Sequence, residues 1–191
     1  MAQDPDFDLV RRCQSEAGHA AESAFEELFD AYRDRVFNLA VRILGNSSDA
    51  EDVTQEAFVT VFRKIRDFRF SSRFYTWLYR VVYNLCVDVN RRSASGAAVA
   101  SGVDGLEEAP DLVRDPGPGP LDGLAEGEHL KSVMERALRR LSPPLRTVIV
   151  LRYQEEMQYS EIAQVLGCSV GTVKSRLSRA HQFLQETLRP S

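Results

Sequence analysis

Apolar residues recur along this chain with a helical period. In "AESAFEELFDAYRDRVFNLAVRIL", Phe25, Leu28, Phe29, Tyr32, Val36, Leu39, Ala40, Ile43 and Leu44 fall three or four positions apart, the spacing that lines one face of an α-helix. "GNSS" stops that helix. Ser48, with Glu51 three residues on, predicts a capping box for the next helix. Val53, Ala57, Val61 and Ile65 are its buried stripe. At about 100° per residue, Asp49, Asp52 and Glu56 fall on one line of its surface. A loop, "DFRFSS", leads to a further helix from about Arg73. There Leu78, Val82, Leu85 and Val89 form the buried side. Arg80, Asn84 and Arg91 return to within about 20° of Arg73, with Trp77 about 40° away and Tyr79 and Tyr83 on the flanks.

The second half has its own pattern. "EHLKSVMERALRRL" places Leu130, Val133, Met134, Ala137, Leu138 and Leu141 on one face, and Ser142 and Pro143 then mark the N-cap and first position of another helix. Ser160 is expected to cap a short helix holding Ile162, Ala163, Val165 and Leu166. Gly167 supplies a turn, and Ser169 caps a longer helix with Val173, Leu177, Ala180 and Leu184 inward. A short helix, a glycine turn and a second amphipathic helix predict a helix-turn-helix. Its outward face offers Thr172, Lys174, Ser175, Arg176, Ser178 and Arg179, groups that contact base edges and phosphates. The alternative is an ordinary helical hairpin with a basic face.

Between the halves, Ser93 to Leu124 is rich in Gly, Pro, Ala and acid, with "DPGPGP" breaking any regular period. The expected fold is therefore all-α: two small helical domains, residues 22–92 and 125–189, joined by a flexible acidic linker at 93–124, the second domain a helix-turn-helix.

Net charge is −4 over 191 residues, which does not by itself suggest a nucleic-acid binder. Segregation changes the picture. Glu22 to Phe62 holds nine acids against three arginines, and Arg63 to Arg92 holds eight basic residues against two acids. A basic stripe interleaved with Trp77 and tyrosines suits unpaired nucleic acid, with guanidiniums for phosphates, rings for stacking and the Asn84 amide for a base edge. A merely solvated basic face remains the other reading. Cys13, Cys86 and Cys168 are scattered and His19, His129 and His181 are isolated, so no metal site, cofactor or catalytic constellation is expected. The N-terminal stretch lacks an apolar core and no run of about 18 apolar residues occurs, so neither a secretory signal nor a membrane span is expected, and a cytoplasmic location is the simplest.

Taken together, "DAEDVTQEAFVTVF", "FRFSSRFYTWLYRVVYN" and "YSEIAQVLGCSVGTVKSRLSRA" resemble, in this order, regions 2.2, 2.3–2.4 and 4.2 of a bacterial RNA polymerase sigma factor of the extracytoplasmic-function type. The resemblance implies a non-enzymatic promoter-recognition subunit that binds core RNA polymerase and promoter DNA, and an anti-sigma factor that holds it. By motif position, Asp49, Asp52, Gln55 and Glu56 would dock on the polymerase clamp. Phe68 and Asn84 would line a pocket for a flipped base of the −10 element, within a face that includes Arg73, Trp77, Arg80 and Arg91. Lys174, Ser175, Arg176, Ser178 and Arg179 would read the −35 element. A stand-alone helix-turn-helix regulator, needing no polymerase, is the rival reading.

Overall fold

The computed structural model describes residues 4–15, 18–97 and 126–188, and side chains within 4–15, 18–92 and 133–188. Among them are eight α-helices: α1 (Phe7–Gln14), α2 (His19–Leu44), α3 (Ser47–Lys64), α4 (Phe74–Ala97), α5 (Glu126–Arg140), α6 (Pro143–Tyr153), α7 (Tyr159–Leu166) and α8 (Val170–Leu188). A single 3-10 turn, Ile65–Asp67, follows α3.

The helix ends follow local chemistry. Gly45 terminates α2 at φ 74°, a left-handed position that costs glycine nothing. The cap of α3 is Asn46, not Ser48: the Asn46 side-chain oxygen accepts from the Ser48 amide at 2.9 Å, and its amide nitrogen donates to Asp49 at 3.0 Å. Likewise α7 is capped by Gln158, not Ser160, in a reciprocal box with Glu161. In both cases an amide side chain two positions upstream reaches the first-turn donors before the serine does. Ser142 and Pro143 open α6, and Gly167 turns α7 into α8 at φ 62°.

Two differences from the sequence expectation alter the architecture. The helix α1 was not expected; it buries Val10 and Cys13 against α2. At the other end, α4 continues to Ala97, so residues 93–97 of the expected linker are helical. The rest of the linker, 98–124, lies outside the described residues.

The core begins between α2, α3 and α4, where Leu28, Leu39, Phe74 and Leu78 are wholly buried. Burying each such side chain stabilises the fold by about 2 kcal/mol. The core then continues without a break into α6, α7 and α8 through Val148, Leu151, Ile162, Val173 and Leu177. The two halves are therefore not held apart. α4 packs on α7, and α2 packs on α6. Arg146, only 7 % exposed, ties this junction. Its guanidinium donates to the carbonyls of Leu138, Arg139 and Leu141 at the end of α5, and to that of Arg42 in α2 at 3.1 Å. These acceptors satisfy a buried cation whose pKa burial lowers.

Candidate nucleic-acid interface

The loop before α4 is built around rings. Phe68 is 8 % exposed and lies 4.9 Å from Phe70, 6.0 Å from Phe74 and 5.2 Å from Trp77, centroid to centroid. Phe68 thus belongs to the packed cluster rather than to open surface. Phe70 adopts φ 54°, a left-handed conformation that strains a side chain with a Cβ. Arg73 at the end of the loop and Arg80, Asn84 and Arg91 on α4 are exposed, and Trp77 is half-buried.

Part of this stripe faces the second half of the molecule. Trp77 and Arg80, with Ser71, Ser72 and Thr76, form one wall of a cleft of about 480 Å³; Ala163, Gln164, Gly167 and Cys168 form the other. The Thr76 hydroxyl is buried with no hydrogen-bond partner among the described residues. Glu161, at the start of α7, accepts from the Tyr75 hydroxyl at 2.5 Å and lies 3.7 Å from Arg73. Glu155 accepts from Arg35 at 2.8 Å and from the buried Tyr79 hydroxyl. Burial first, and then the Glu155 carboxylate, push the Tyr79 hydroxyl pKa far up, so it remains a donor. Farther along α4, Arg91 pairs with Asp88 at 2.9 Å.

The outward face of α8 has a different setting. Lys174, Ser175, Ser178 and Arg179 are exposed, while Val173, Leu177 and Ala180 are buried beneath them. The Ser169 hydroxyl accepts from the Thr172 amide at 3.1 Å and lies 3.0 Å from the Thr172 hydroxyl, so Thr172 is engaged in the cap. Arg176 is half-buried and close enough to Tyr83 to counteract part of the burial that raises that phenol's pKa.

On α3, Asp52, Gln55 and Glu56 are exposed and Asp49 is half-buried under Asn46. Two residues that sequence reasoning missed extend this face: Val59, 40 % exposed, and Phe62, 61 % exposed. The Phe62 ring meets Phe25 edge-on at 5.2 Å. The signal was present, because 52, 55, 59 and 62 recur at helical spacing and lie off the buried stripe.

Among the described residues, no group of three or more His, Cys, Asp or Glu side chains is placed to hold a metal ion, and no helix is long and apolar enough to cross a membrane. Family models match twice, Sigma-70 region 2 over residues 28–95 and Sigma-70 region 4 over residues 132–184. The chain is 36% identical over 184 residues to the ECF RNA polymerase sigma factor SigW of Bacillus subtilis, covering 95% of this chain and 97% of that one. The chain belongs to the sigma-70 family. It is a sigma factor of the extracytoplasmic-function type, a promoter-recognition subunit for transcription initiation, and the matches do not favour a stand-alone regulator. A second relative, the RNA polymerase sigma-H factor of Pseudomonas aeruginosa, is 31% identical over 194 residues, covering 100% of this chain and 97% of that one. Among solved structures, the sigma factor RpoE in complex with the anti-sigma factor NepR from Bartonella quintana matches with a TM-score of 0.64 and 25% identity, covering 86% of this sigma factor and 96% of that chain.

Proposed function

We propose that this sigma factor divides promoter recognition between two helical faces and polymerase docking on a third. The exposed face of α8, with Lys174, Ser175, Ser178 and Arg179 supported by Thr172 and Arg176, reads duplex −35 DNA in the major groove. The stripe of Arg73, Trp77, Arg80, Asn84 and Arg91, with Phe68 beneath it, takes the melted −10 strand. Asp49, Asp52, Gln55 and Glu56 dock on core RNA polymerase, and Val59 and Phe62 add an apolar margin to that contact. The observation that carries this reading is the basic, cap-anchored α8 behind the Gly167 turn, in the same chain as an aromatic and arginine-rich α4.

The chain acts by binding alone. Extruding a base costs a few kcal/mol. Stacking on a ring returns about 1–3 kcal/mol per base, so a strand that polymerase has begun to separate is trapped without hydrolysis. An anti-sigma partner is part of this reading, supported by the likeness to a sigma factor solved with one. The working location is the cytoplasm, where the polymerase and promoter are.

The −10 and −35 elements lie about 25 base pairs apart, roughly 85 Å at 3.4 Å per step. With α7 resting on α4 the two reading faces belong to one compact body, so promoter engagement separates them. By chain length alone, the 27 residues 98–124 can reach about 90 Å, enough to permit it. Transcription by polymerase reconstituted with this chain, over a randomised promoter library, tests the reading. Start sites sharing one −10 and one −35 sequence are expected; initiation no different from core polymerase alone would reject it.

A further inference from the structure

The loop of residues 65–74 is held from outside by α1 and the turn just before it. Gln14 sends its amide nitrogen to two loop carbonyls, Ile65 at 2.8 Å and Phe68 at 2.7 Å. Asp4 accepts from the Phe74 amide at 2.7 Å, closing the N-terminus of α4. Between these two anchors sits the strained Phe70. Its ring packs against Phe7 at 4.7 Å, and the Arg11 guanidinium lies 5.7 Å from its centroid. Residues 4–14, α1 and the turn before it, thus contact both ends and the strained centre of the same loop. A left-handed phenylalanine persists only where its surroundings over-determine it.

We propose that Asp4 and Gln14 are positioning residues for capture of the −10 strand: they hold the 65–74 loop, and through it Phe68 and Trp77, in the geometry that accepts an extruded base. This rests on the reading of the α4 face given above. Neither side chain lies on the α4 stripe; each acts through the loop. Preorganising the loop removes an ordering cost that strand binding would otherwise bear.

Trp77 is the chain's one tryptophan and packs 5.2 Å from Phe68, so its emission reports loop order without any DNA. The test uses Gln14→Ala, Asp4→Ala and the double variant in the full chain. The free protein is examined for acrylamide quenching of Trp77 and for its melting midpoint. Holoenzyme is examined for binding to a single-stranded −10 oligonucleotide and to a −35 duplex. The double variant removes three part-buried hydrogen bonds and is expected to raise Trp77 quenching and to weaken single-strand binding about tenfold, each bond having a modest net worth. Binding to the −35 duplex is expected to stay within about twofold. Asp4→Asn, which keeps an acceptor oxygen at the cap, is expected to behave as the unsubstituted chain. The proposal stands only if quenching and single-strand binding both move. It is overturned if either stays put, or if −35 binding and the melting midpoint fall in step with them. Failure of the unsubstituted holoenzyme to bind the −10 strand would instead reject the reading of the face, a result distinct from unchanged Trp77 quenching in the variants.

Discussion

The α4 and α8 faces both carry arginines outward, and they are presented differently. The α8 face stands on a buried stripe and leaves Lys174, Ser175, Ser178 and Arg179 to solvent. The α4 stripe is partly turned toward α7, with Arg73 beside Glu161 and with Trp77 and Arg80 in a cleft. The difference matches two kinds of target. A duplex groove is already formed and needs only a rigid helix with free side chains. A melted strand exists only after polymerase has acted, and a sticky aromatic surface is better kept shielded until then. On the proposed reading, Glu161 provides that shielding by engaging Tyr75 and Arg73, while Glu155 holds Arg35 and the buried Tyr79 at the same junction.

The comparison breaks most severely at its foundation. Arg146→Ala removes a buried guanidinium from four carbonyls, one of them across the junction. The expected loss is about 3 kcal/mol in denaturant unfolding, because the orphaned carbonyls stay buried. Arg179→Ala acts on the open face only. It should weaken −35 duplex binding by about 2 kcal/mol while single-stranded −10 binding is retained. Asn84→Ala acts on the other face, relaxing preference at one −10 position by about 1 kcal/mol in a competition assay with core binding unchanged. Should Asn84→Ala abolish core binding instead, the separation of faces is wrong.

The smallest expected effect lies at the junction that shields the α4 face. Arg35 is about half exposed, so its pair with Glu155 is worth about 1 kcal/mol or less. Glu155→Gln should therefore raise the alkylation rate of Cys168, which lines the cleft, by only a few fold. Cys86 serves as the internal control. Burial pushes its thiol up to about 12, so from pH 7 to 10 it remains protonated and unreactive in the folded chain. Equal labelling of both cysteines would mean global unfolding rather than opening of the cleft.

Much of this was legible in the sequence because long amphipathic helices declare themselves by period. α2, α3, α4 and α8 each repeat the pattern over four turns or more, and the Gly45 and Gly167 stops follow from glycine's freedom at positive φ. What was hidden depends on distance in space. Phe7, Leu9, Val10 and Cys13 in α1 are too few to show a period, and the purpose of Asp4 and Gln14 is visible only once the 65–74 loop is beside them. Tyr79, expected on a flank of the stripe, is wholly buried, its hydroxyl bonded to Glu155 and its ring 5.8 Å from the Arg35 guanidinium. A pattern within one helix carries no record of which neighbour packs on its polar side.

On the proposed reading, one chain reads two states of DNA with two separate faces. Crossed binding by holoenzyme tests it most directly, using a single-stranded −10 oligonucleotide and a −35 duplex against two double variants, Arg80→Ala with Asn84→Ala and Lys174→Ala with Arg179→Ala. The account predicts that the first variant loses the single strand and keeps the duplex, and that the second does the reverse. Loss of both ligands by either variant, or retention of both by each, would contradict it.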